Sequence, residues 1–124
     1  MGKSKGFTLL ELMIVVVIIG ILASIAIPKF GNSKQRAYIT SVKSDLRNLV
    51  TAEESYFADY VVYTGTFTTA SFNASPGVTV VISGASGTGW SATGVHSGAP
   101  SNTCSIYMGD ATIAGQAAGS PVCQ

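Results

Sequence analysis

At 124 residues the chain has room for one small globular unit and an appended helix, which excludes a multidomain enzyme. The formal charge of +1 hides an asymmetry, because every Lys and Arg lies at or before Arg47 while Glu53, Glu54, Asp59 and Asp110 lie beyond it. No basic patch interleaved with aromatics follows residue 47, so a dedicated nucleic-acid-binding domain is excluded too.

The first predicted element is the apolar run "FTLLELMIVVVIIGILASIAI", Phe7 to Ile27. About twenty such residues are enough for a helix to cross a bilayer. Lys3 and Lys5 precede it, and the positive-inside bias keeps residues 1–6 in the cytoplasm and sends the rest outward. A removed signal peptide is the competing account, with "SIA" at Ser24–Ala26 as a poor cleavage site. The overlong apolar region, the early Glu11 and the amphipathic segment that follows without a break argue against it. Glu11 is the anomaly, since a carboxylate in hydrocarbon costs roughly 2.5–3.5 kcal/mol on insertion scales. Snorkelling to the interface is one account of it, and a cationic partner is the other.

Pro28 then kinks or interrupts the helix, since it lacks an amide donor and clashes with the preceding turn. From Lys29 onward, Ile39, Val42, Leu46, Leu49 and Val50 recur at three- and four-residue steps, and Tyr56, Phe57 and Tyr60 extend the stripe. That period predicts an amphipathic helix over 29–63. Beyond Tyr63 the texture turns to Gly, Ser and Thr, with "FTTASFNASP" as an irregular connecting loop. "GVTVVISG" predicts a strand over Val78 to Ser83, and "GWSATGVH" and "TCSIYMG" predict two more, separated by turn-forming stretches. Short connections favour an antiparallel meander covered on one face by the amphipathic helix.

The stretch "KGFTLLELMIVVVIIGILASIAIP" resembles the amino-terminal signature of type IV pilins and the related pseudopilins. A short basic leader ends in Gly6, Phe7 follows, Glu11 comes four places on, and apolar residues run to Pro28. The resemblance implies a class III prepilin leader over 1–6, cut between Gly6 and Phe7 by an aspartyl prepilin peptidase that then N-methylates Phe7. It implies a transmembrane and filament-core helix over 7–28, the amphipathic helix over 29–63 and an antiparallel sheet head over 64–124, the α+β "lollipop" of pilins. It also implies that Glu11 pairs with the terminal ammonium of an adjacent subunit, and that Gly20 to Pro28 unwinds locally in the fibre. Removing Lys3 and Lys5 with the leader takes the side-chain charge from +1 to −1. Stacked subunits with a basic stem and an acidic upper helix would attract along a fibre axis, although ordinary solvated helix surface accounts for the same pattern.

Cys104 and Cys123 lie in the outward region, where an oxidising setting favours a disulfide. Pilins resemble this arrangement, with a disulfide-bounded loop near the carboxyl end. A metal site is disfavoured, since His96 and Asp110 are the further ligands in the sheet region. A lone His96 finds no triad companions, and the glycines at 84, 87 and 89 read as hairpin turns rather than a phosphate loop. Core packing explains most of Phe30, Tyr38, Tyr56, Phe57, Tyr60 and Tyr63 better than electron conduction does.

Three functions fit. The first is a non-enzymatic pilus subunit without cofactors, held in the inner membrane with its amino terminus in the cytoplasm. An assembly platform there would polymerise it out of the lipid into an extracellular homopolymer for adhesion, twitching or DNA uptake, with nucleic acid as one filament ligand. The second is a pseudopilin of a type II secretion system, disfavoured because the calcium-binding major forms need an acidic carboxyl-terminal loop and this tail offers Asp110. The third is a monomeric, membrane-tethered binding module.

Overall fold

The computed structural model describes Gly2 and residues 6–124. The leader expectations that fall on Met1, Lys3, Ser4 and Lys5, including the charge bias, lie outside the described residues. The chain divides into two compact units between Lys34 and Gln35.

Helix α1 spans Leu9–Tyr60. It starts on a capping box: the Glu11 amide donates to the Thr8 hydroxyl at 3.2 Å, and the Thr8 amide donates to Glu11 Oε2 at 2.8 Å. Two amide donors near the helix start are thereby satisfied by the reciprocal pair. Pro28 lies inside α1 rather than ending it. It forfeits one backbone hydrogen bond, while the turns on either side keep theirs. The helix stops three residues short of the expected residue 63. Val61 takes a left-handed φ of 57°, and its amide closes back on the Phe57 carbonyl at 2.8 Å.

In the second unit, four antiparallel strands follow in chain order: β1 (Val78–Ser83), β2 (Gly89–His96), β3 (Ala99–Gly109) and β4 (Val122–Cys123). The register places Val80, Gly94 and Cys104 abreast, and likewise Ile82, Ala92 and Ile106. Alternation then sends these rows to one face. Strand β3 begins four residues before the expected "TCSIYMG", and β4 was absent from the sequence reading. A two-residue strand has too little pattern to announce itself.

The core joins Val42, Leu46 and Leu49 of α1 to Trp90, Ala92, Cys104 and Ile106 of the sheet. Gly94 marks a close approach of the helix to the sheet, because a Cβ there would stand 2.7 Å from Val42 Cγ1. Trp90 and Leu46 are wholly buried. The aromatic part of the expected stripe behaves differently: Tyr60 is 64% exposed, so core packing does not account for it. Phe57 instead stacks on Tyr63 at 4.6 Å.

Candidate functional site

The first unit is an apolar helix with nothing over it. From Leu9 to Ile27 the large apolar side chains are 51–75% exposed, on every side of α1. A helix apolar all round belongs in a membrane or a bundle rather than in water. α1 is long and apolar enough to cross a bilayer. Gly6 and Phe7 precede it, Phe7 being 92% exposed, and a side chain added at Gly6 or Gly20 would meet open space.

Glu11 sits in the first turn of this segment. Its Oε2 accepts both the Thr8 amide and, at 3.0 Å, the Thr8 hydroxyl. Both contacts use one oxygen, and among the described residues Oε1 has no hydrogen-bond partner. The sequence reading missed the capping role. The Thr-x-x-Glu pattern ahead of an apolar run was the signal that would have found it.

In the second unit, Glu53, which the charge pattern groups with an acidic upper helix, and Asp45, to which the sequence assigns no role, turn out to be buried staples. Asp45 accepts the Ser75 amide at 2.8 Å and the Ser75 hydroxyl at 2.9 Å. Glu53, fully buried, accepts the Thr64 amide at 3.0 Å through Oε2, while Oε1 has no hydrogen-bond partner. Together they fasten both ends of the connection between α1 and β1. Burial raises the Glu53 carboxyl above the ordinary carboxylate range, and the charge of Glu54 adds to this against the lowering effect of the Thr64 amide. Tyr63, whose hydroxyl donates to Glu54 at 3.0 Å, is raised by burial first, then by that bond and by the Glu54 and Glu53 charges. Glu53 therefore does not belong to an exposed acidic surface; Glu54, Asp59 and Asp110 do.

Cys104 and Cys123 are joined by a disulfide, next to the pairing of β3 with β4. The tail it bounds is also held by Gly119, whose amide donates to the Tyr107 carbonyl, and by the Tyr107 hydroxyl, which donates to the Gln116 carbonyl. His96 stacks on Tyr38 with ring centroids 4.1 Å apart, and its Nδ1 accepts the Gly98 amide, so it acts in packing. Among the described residues, no three of His, Cys, Asp and Glu gather as a metal cluster.

These features define a class: an apolar amino-terminal helix for membrane or bundle, followed by an α+β head. Residues 1–27 match the family described as "Prokaryotic N-terminal methylation motif". The chain is 51% identical over 57 residues to the type IV major pilin protein PilA of Myxococcus xanthus, covering 46% of this chain and 26% of that protein. It is 54% identical over 55 residues to a fimbrial protein of Pseudomonas aeruginosa, covering 44% and 36%. A third relative, type II secretion system core protein G of Pseudomonas aeruginosa, is 38% identical over 64 residues, covering 52% and 45%. The matched segment spans between a quarter and a half of these relatives' own lengths. Over less than half its length, the chain thus resembles type IV pilins and fimbrial proteins, which are structural proteins rather than enzymes, and its apolar helix and α+β head are consistent with the pilin fold.

Proposed function

We propose that the chain is a type IV pilus subunit, cut after Gly6, methylated at Phe7 and polymerised from the inner membrane into an extracellular filament. The observation that carries this is Glu11: a carboxylate at the start of an exposed apolar helix, with one oxygen spent on Thr8 and the other without a partner among the described residues. Cleavage creates an ammonium at Phe7, and methylation preserves its charge. In low dielectric such a cation attracts Glu11 of a neighbouring copy strongly, while either charge buried alone is heavily penalised. The pair therefore acts chiefly as a register device. Bulk attraction comes from close packing of the side chains between Phe7 and Ile27, which exchange lipid for helix contacts. Gly20 and Pro28 weaken the helix between them and set where it unwinds in the fibre. Adhesion, twitching and DNA uptake are the tasks such a filament serves.

The likeness to core protein G supports a second reading, a pseudopilin in a short periplasmic fibre. The disulfide-bounded tail favours the pilin. Mass spectrometry of exported protein tests the processing, with a species starting at methylated Phe7 expected. An unprocessed amino terminus would support the monomeric tethered module instead. Electron microscopy of sheared surface material separates the first two readings, with long fibres expected and their absence favouring the pseudopilin.

A further inference from the structure

Charge in the second unit is segregated. Arg36, Lys43 and Arg47 follow one another on α1 at steps of seven and four residues, which aligns them on one side of the helix. That side lies about 120° round from the one carrying Val42, Leu46 and Leu49 into the core. Arg36 and Arg47 are exposed and Lys43 is half-buried, whereas the remaining exposed charged side chains of this unit, Glu54, Asp59 and Asp110, are all acidic.

The acidic end is built as a receptor. The last turn of α1 holds Asp59 and no basic residue, although the negative end of a helix dipole favours a cation and disfavours a carboxylate. The turn ends at Val61, held at a positive φ that β-branched residues rarely adopt. Beside Asp59 opens a groove of about 350 Å³ walled by Tyr56, Tyr60 and Phe67, with Ser55 and Ser71 at its polar margin. Tyr56 lies 4.5 Å from Tyr60 and meets Phe67 edge-on at 6.2 Å, centroid to centroid. A carboxylate beside aromatic faces offers a guanidinium or ammonium both an ion pair and cation–π contact.

We propose that this groove receives a basic side chain from the Arg36–Lys43–Arg47 row of a second copy of the chain. The inference rests on the filament reading and adds a contact between heads to the one at Glu11. Charge complementarity selects the occupant, since the row is cationic and the groove is acidic and aromatic. The geometry selects the assembly. Groove and row are different surfaces, so each copy gives one contact and takes another. Such a heterologous interface can propagate without closing. The row lies twelve to twenty-three residues before Asp59, or about 18–35 Å of helix, so parallel copies displaced by that distance bring base to groove.

The test uses full-length protein in filament-producing cells, with sheared filament yield as the readout. Asp59→Lys should lower the yield at least fivefold, and the isosteric Asp59→Asn at least twofold. One of Arg36→Glu, Lys43→Glu or Arg47→Glu, added to Asp59→Lys, should restore the yield to within twofold of the parent and so identify the donor. Parent-level yield from both Asp59 variants, or no recovery in any of the three double variants, overturns the contact while leaving the filament reading intact. A parent chain that makes no filament removes that reading, and this contact with it.

Discussion

The Cys104–Cys123 bridge offers the most quantitative prediction for the head. It spans a sequence separation of 19, and loop closure over about 20 residues is worth about 3 kcal/mol in the chain-entropy picture. Without it the tail would rest on a two-residue β4, two backbone bonds between Thr103 and Gln124, the contacts of Gly119 and Gln116 with Tyr107, and the bond from Gln116 Nε2 to Ser105 Oγ. In a head of this size each kcal/mol moves the unfolding midpoint by about 4–8 °C, so about 3 kcal/mol corresponds to a drop of about 12–24 °C. The assay is thermal unfolding of the full chain in detergent, followed by the emission of Trp90, the sole tryptophan and wholly buried in the head. Comparing oxidised protein with thiol-reduced protein keeps both sulfurs in place, so the cross-link alone changes. A shift below about 3 °C would refute the argument that the bridge, rather than the hydrogen bonds, holds the tail.

Three further outcomes follow from the head. Asp45→Ala strands the Ser75 amide and hydroxyl and should cost about 2–3 kcal/mol in urea unfolding; Asp45→Asn, which keeps one acceptor, should cost clearly less. Because burial raises Glu53, the folded state keeps a proton that the unfolded state has lost, so this residue's contribution to stability falls as pH climbs from about 4.5 through the raised value. Glu53→Gln should flatten that part of the curve, and an unchanged slope would contradict the burial account. At Gly109, φ is 69° and an added Cβ would collide with the Thr88 carbonyl oxygen, so Gly109→Ala should lower stability by at least about 2 kcal/mol. A smaller loss by the same urea assay would mean that the β2–β3 pairing yields there.

Much of the fold was legible because periodicity and punctuation agree. Val42, Leu46 and Leu49 repeat at helical spacing and are buried, and Val78–Ser83 and Gly89–His96 alternate between turn-rich stretches. What stayed hidden depends on partners far away in sequence. Helical spacing puts Glu53, four residues after Leu49, on the buried stripe and its exposed neighbour Glu54 off it; what no local pattern reveals is the partner Glu53 finds there, the Thr64 amide. Asp45 and Ser75 are likewise thirty residues apart. The exposed Tyr60 breaks the apolar stripe because α1 ends there, one residue before Val61 turns left-handed. At the amino terminus the anomaly of Glu11 was plain in the sequence. Its bond to Thr8 follows from the Thr-x-x-Glu spacing in the first turn.

If the chain polymerises as proposed, Glu11 serves neighbouring copies rather than its own helix alone. The direct measurement is Glu11→Ala in the full chain, scoring membrane-inserted protein and sheared filament yield side by side. Insertion should hold or improve, because a charge leaves the apolar segment, while filament yield should fall severely. Full filament yield from that variant would contradict the pairing and leave Glu11 as a helix cap.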